Sequence, residues 1–284
     1  MIGRFAKHPP APAGRVVLQS RTATPNRVAL EAAVHLAKAF RFQIESVFVE
    51  DQDVLTLADL PFATEISTTG RRTPITDFAE MERTMRLASA ALQRSLDQLV
   101  QAHAIACEFK TVRGDASRAL AQYCDDACFV VMAETFTPSD MLLLRHLIET
   151  AKGLNGALLV GPQARDTAGP IVMIAEDARS LECLATAAKR VAQERRDGDI
   201  VALVLSDDVS DQQIADAFAT GAADVHYQVV RPKQGARSPS TIARIVHQLQ
   251  GSITVARLGG FLQPGDGRLS ALTNTLATPL LLLR

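Results

Sequence analysis

The sequence predicts an α/β protein built from two similar open, mainly parallel-sheet units. Three observations predict it. Short apolar, β-branched segments recur along the chain, each followed by a stretch with helical apolar spacing. The order of these segments starts again after one polar stretch, "PQARDTAG". Hydrophobic residues make up 47% of the 284 against 21% charged, enough apolar side chain to cover a sheet on both faces.

The elements follow in order. "RVVLQS" (15–20) reads as a buried strand. In the next segment Leu30, Ala33, Val34 and Ala37 recur at helical spacing behind Pro25-Asn26, which sits where a helix begins. "QIESVFVE" alternates with period two. A polar, irregular stretch is expected from about Asp51 to Glu80. Beyond it Met85, Ala88, Leu92, Leu96 and Leu99 mark a long amphipathic helix. Strand "CEFKTVR", helix "SRALAQYCDD", strand "CFVVMA", helix "LLLRHLIETAKG" and strand "ALLVG" complete the first unit. The second repeats this order without the insertion. Strand "PIVMIAE" leads to a helix on Leu181, Leu184, Ala185, Ala188, Val191 and Ala192. Strand "DIVALVLS", a short helix near Ile214 to Phe218 and strand "VHYQVV" come next. A helix on Ile242, Ile245, Val246 and Leu249, strand "SITVARL", a helix near Leu269 to Leu276 and strand "PLLLL" finish the chain. The expected division is a tail at 1–14, a domain at 15–161, a linker at 162–169 and a shorter domain at 170–284.

Composition narrows the partners. With 30 basic and 31 acidic side chains the net charge is -1, so no electrostatic footprint for nucleic acid or an anionic membrane exists. Trp is absent and Tyr occurs 2 times, which removes the aromatic platforms that stack single strands. The opening residues lack the apolar run of a secretory signal, and the longest aliphatic run, "LLLL", is too short for a membrane span. The 4 cysteines, Cys107, Cys124, Cys128 and Cys183, are sparse and read as reduced thiols in a cytoplasmic protein.

"RVALEAAVHLAKAFRFQIESVFVED" resembles the opening strand-helix-strand of universal stress protein domains, where an alanine-rich helix is followed by a strand with an acidic tail. The insertion containing "LADLPFATEIS" resembles the variable loop of that family. "VRGDASRALAQYCDDACFVVMA" and "GALLVGP" resemble its third to fifth strands. The likeness covers 15–161 well and 170–284 mostly by topology. It implies an adenine nucleotide alpha-hydrolase-like fold with strand order 3-2-1-4-5. In members that bind ATP it also implies an acidic residue ending the first strand and a G-x2-G-x9-G-[ST] phosphate loop after the fourth. Glycines there admit the anion to backbone N–H groups at a helix N-terminus.

Carried over, the first domain departs from both features. Its first strand ends in Gln19-Ser20, and its fourth opens into Glu134-Thr135-Phe136-Thr137-Pro138, where Glu134 would repel a phosphate. No ATP site is expected there. In the second domain Glu176 and Asp177 match the acidic position. Gly259 and Gly260 follow strand four, and Gly265 and Gly267 precede the last helix, with Arg257 and Arg268 close by. That group could cradle the phosphates of ATP or AMP. Its glycine interval is shorter than the motif's, and "GGFLQPGDG" is equally what a simple turn looks like.

Other signals are structural. Cys124 and Cys128 lack neighbouring ligands for a metal and read as small buried hydrophobes. The 6 histidines are scattered. G-x-S-x-G, G-x4-G-K-[ST] and G-x-G-x-x-G are absent, as is the S-G-G-x-D-S-like loop of the related hydrolases. Arg71 and Arg72, before the long helix, read as part of a solvated loop. The expectation is a non-enzymatic regulatory binding protein of universal-stress-protein type, with no catalytic or metal residues and no obligatory cofactor. The alternative keeps ATP or AMP in the second domain, with slow hydrolysis. Its partner protein is unspecified. The closing strands "ALLVG" and "PLLLL" are expected to pair, within the chain as a pseudo-dimer or between two chains.

Overall fold

The computed structural model describes residues 14–20, 26–51, 56, 64–66, 70, 72–74, 78–114, 116–124, 126–133, 136–195, 198–220, 225–232 and 237–284. The first half opens with β1 (Arg15–Ser20), α1 (Arg27–Phe40) and β2 (Gln43–Asp51). Asn26 starts α1 by accepting the Ala29 N–H, and Arg41, in the left-handed region, ends it. The segment expected to be irregular contains a short antiparallel ribbon, β3 (Thr64–Ile66) with β4 (Arg72–Pro74). Two extended pieces that satisfy each other's backbone groups give no periodicity for a sequence to display. The rest of segment 51–80, Arg71 included, lies largely outside the described residues. Next come α2 (Phe78–His103), β5 (Cys107–Gly114), α3 (Ala116–Gln122), β6 (Cys128–Ala133), α4 (Pro138–Thr150) and β7 (Leu154–Val160).

The second half begins with β8 (Ile171–Ala175), a single 3-10 turn (Ala178–Ser180) and α5 (Leu181–Gln193). It continues through β9 (Ile200–Val204), α6 (Asp211–Ala219), β10 (Tyr227–Val230), α7 (Pro239–Gln248), β11 (Ile253–Arg257), α8 (Arg268–Thr275) and β12 (Leu280–Leu283).

All the strands but the β3–β4 ribbon join one 10-stranded sheet, in the order β10-β9-β8-β11-β12-β7-β6-β1-β2-β5. Read from its outer edge, each half has the order third, second, first, fourth, fifth. Within this sheet every pair inside a half is parallel. The joint is antiparallel: Leu280 faces Leu159 and Leu283 faces Gly156. The closing strands therefore pair within the chain. Gly156 is required there, since a Cβ would overlap the Leu282 carbonyl across the joint.

Alternation along the strands feeds two cores. Val16 and Leu18 point into the one under α1, α2, α5 and α6, while Val17 points into the one under α3, α4, α7 and α8. The inner strands are buried on both faces, and polar residues on them need partners. Glu45 on β2 is 1% exposed and is held by Arg15 of β1 and Lys110 of β5, at 3.0 and 2.5 Å.

Candidate functional site

The carboxyl ends of β8 and β11 lie side by side, since these strands are neighbours in the sheet. β8 leaves the sheet into Glu176 and Asp177, and β11 into Leu258, Gly259 and Gly260. This is the crevice position of an open parallel sheet, beyond the strands' ends at the point where the strand order reverses. The structure brings together Glu176, Asp177, Gly259 and Gly260 and adds a residue the sequence did not single out, Phe261.

Glu176 Oε2 accepts the Phe261 N–H at 2.6 Å. A Cβ on Gly260 would overlap that same oxygen, so the glycine is what admits the carboxylate to the loop. The other oxygen, Oε1, is buried without a partner among the described residues. Burial pushes the Glu176 carboxyl above its usual range, with Asp177 adding to the rise and the Phe261 N–H, Arg257 and Arg237 opposing it. Asp177 moves the other way. Burial opposes ionisation, yet the Ser180 N–H and the Arg257 guanidinium hold the carboxyl below its usual range. Asp177 accepts from Ser180 at 2.9 Å, capping the 3-10 turn, and from Arg257 at 2.7 Å.

The loop after β11 keeps the backbone freedom that an anion site uses. Gly259, Gly265 and Gly267 have φ of 93°, 113° and 76°. Gly267 precedes α8 without a side-chain cap. Both arginines expected to help are engaged inside the protein, Arg257 with Asp177 and Arg268 with Asp266 at 3.8 Å and with the face of Phe261 at 5.2 Å. A carboxylate thus takes the loop amide that a phosphate oxygen would seek, and the nearest cation answers a second carboxylate.

The first half is built differently at the same place. Gln19 at the end of β1 is buried, its Nε2 without a partner among the described residues. Glu134 and Thr135 lie outside the described residues. Phe136, next in the chain, gives its N–H to Asn274 Oδ1 at 2.9 Å and takes the Asn274 Nδ2 donor at 3.0 Å. Thr137 and Asp140 form a capping box at the start of α4, with Asp140 Oδ2 accepting the Thr137 N–H at 2.9 Å. Backbone groups around this helix start are held by a buried carboxylate and by an asparagine from the other half.

The remaining candidates resolve as packing. Cys124 and Cys128 are buried, and burial pushes the Cys107 thiol up to about 11. His35 lies beside His103, its ring pushed below the usual histidine range chiefly by burial. Lys189, buried among the helices, donates to the Phe218 and Thr220 carbonyls and so closes the C-terminus of α6. Among the described residues no group of three His, Cys, Asp or Glu could hold a metal, and no helix is long and apolar enough to cross a membrane.

No family model and no curated protein matches the chain in sequence. Solved structures do match in three dimensions. The chain is similar to a universal stress protein from Archaeoglobus fulgidus DSM 4304, with a TM-score of 0.58, 12% identity and 96% of each chain covered. It is similar to a functionally unknown protein from Pseudomonas aeruginosa PAO1, with a TM-score of 0.54 and 16% identity over 96% of this chain and 92% of that one. A Pseudomonas aeruginosa UCBPP-PA14 protein, described provisionally as a universal stress protein, gives 0.52 and 15% over 96% of this chain and 93% of that one. Over nearly its whole length, the chain carries the α/β fold found in universal stress proteins, with the strand order 3-2-1-4-5 occurring once in each half of one sheet.

Proposed function

We propose that this chain is a regulatory binding protein of the universal-stress-protein type, made of units 15–161 and 170–284, which acts by shifting a conformational population and not by turnover. The observation that carries this reading is the Glu176–Phe261 bond. In a constitutive triphosphate site the loop amides stay open and the nearby cations stay unpaired. Here one amide holds a carboxylate and Arg257 holds another, so an anion enters only by displacing protein groups. In the first half the Thr137–Asp140 box and Asn274 support the absence of a phosphate grip. Sparse cysteines outside any disulfide suit a cytoplasmic setting, and intrachain pairing of the closing strands makes a dimer through them unnecessary.

A second reading, ATP or AMP in the second half, is favoured by the three positive-φ glycines that end at α8. Thermal melting with ATP and with AMP separates the two. A native-state ligand at about 100 times its Kd adds about 2.7 kcal/mol, several degrees of melting temperature in a protein of this size. The wild type is expected to show no shift at millimolar nucleotide. A saturable shift that Gly267→Val abolishes would establish the second reading in its place.

A further inference from the structure

The structure assigns a second binding site, away from the crevice, to the groove where the two halves meet between α1 and α5. We infer that it takes a small amphipathic anion, an acyl chain carrying one carboxylate or phosphate head. The groove is open to solvent along one side and offers about 680 Å³, inside the range of about 300–1,000 Å³ typical of small-molecule sites. Its apolar part is Phe40, Phe42 and Phe129, and its rim carries Arg179, Arg190 and Arg284. None of the groove's residues belongs to the Glu176–Gly267 crevice, so this site stands whether or not the reading above holds.

The aromatic part is a preformed surface. Phe129 is buried and fixes the other two rings, whose centroids lie 4.7 Å (Phe40) and 5.8 Å (Phe42) from its own. Phe40 and Phe42 are only partly buried, and their remaining apolar area faces the groove. Covering it with an acyl chain removes that area from water.

The rim is cationic. Among the described residues, no side-chain carboxylate pairs with Arg179, Arg190 or Arg284. By contrast, Arg15, Arg113, Arg231 and Arg257 each have a carboxylate within 3.0 Å. Arg190 rests on the Phe40 ring at 5.4 Å, and Arg284 donates to the Ala151 carbonyl at 3.2 Å. Glu182 is the one acidic side chain lining the groove. α5 begins at Leu181, so the positive end of its dipole lies at the same rim. In a protein whose net charge is -1, the Arg179 and Arg190 guanidiniums beside three phenyl rings complement a ligand that is apolar at one end and anionic at the other.

Calorimetric titration of the full chain with dodecanoate, dodecyl phosphate and dodecanol, each below its micelle concentration, tests this. Saturable one-to-one binding of at least one anion is expected, with dodecanol at least about tenfold weaker. The tighter anion identifies the head group. The double variant Arg179→Gln/Arg190→Gln should weaken the anion about tenfold or more and erase its advantage over dodecanol. Thr186→Trp, which fills the groove from an exposed helix position, should abolish binding with an unchanged melting temperature. Arg94→Gln, on exposed α2 surface, should change nothing. Absence of saturable binding by both anions overturns the proposal. So does dodecanol binding as tightly as the anions, or an Arg94→Gln effect equal to that of the double variant.

Discussion

In the first half-sheet β1 ends in Gln19 and Ser20, and the chain after β6 passes through Phe136 into a capped helix. In the second, β8 ends in two carboxylates, and the chain after β11 passes through a glycine-rich loop before its helix. Topology is shared, and so is the position beyond the strand ends. The bonds differ. The first helix start is tied by neutral side chains and by Asp140, 5% exposed inside its own cap. The second loop is tied by Glu176, whose carboxyl burial already pushes toward the protonated form. One fold can thus close the same crevice in two ways: with a helix cap and an asparagine amide, or with a carboxyl group whose burial favours its protonated form.

Breaking the first closure should have the largest effect. Asn274→Ala leaves the Phe136 N–H and carbonyl without their partner at a buried position and is expected to destabilise by about 2–3 kcal/mol, read as a lower urea midpoint at unchanged slope. An unchanged midpoint would show that the link across the halves contributes little. Removing only the helix cap, Thr137→Ala, should lower stability by about 1 kcal/mol in the same assay.

The second closure is tested through pH. The raised folded-state carboxyl means that the unfolded chain releases the Glu176 proton first, near its ordinary value of 4.5. Stability from this group is therefore complete below that pH and declines as pH rises through the higher folded value. Urea midpoints measured for wild type and Glu176→Gln from about pH 4 to pH 7 should diverge, the wild type losing ground to the variant as pH increases. Parallel profiles would show that Glu176 titrates as an ordinary carboxylate. The smallest effect concerns the thiols of the two halves. Burial holds the Cys107 thiol near 11 while Cys183 is exposed, so a maleimide at neutral pH should modify Cys183 first, as peptide mapping would reveal.

Much of the fold is local and so legible. Asn26, where a helix is expected to begin, caps α1; Thr137, Ser210 and Ser238, which apolar spacing does not single out, cap their helices too, and α4 starts at Pro138, before the expected Leu142. The helix of 26 residues from Phe78 shows its stripe because Ala88, Leu92, Leu96 and Val100 pack on one face. The glycines after β11 and the acidic pair after β8 were visible as residue types. Their bonding was not. Glu176 meets Phe261 across 85 positions and Asn274 meets Phe136 across 138, and no periodicity within a segment encodes such a meeting. The groove between α1 and α5 was invisible for the same reason, since its phenyl rings come from one half and its arginines from the other.

By itself, then, the sequence determined the alternation of strands and helices and their repetition, because propensity and apolar spacing act over a few residues. The tertiary structure alone decided that β7 and β12 join the halves antiparallel, that a carboxylate occupies the loop of the second crevice, and that Arg179 and Arg190 of one half come to line a groove with three phenyl rings of the other. Those outcomes depend on which distant surfaces exclude water together, and that is settled only when the sheet is assembled.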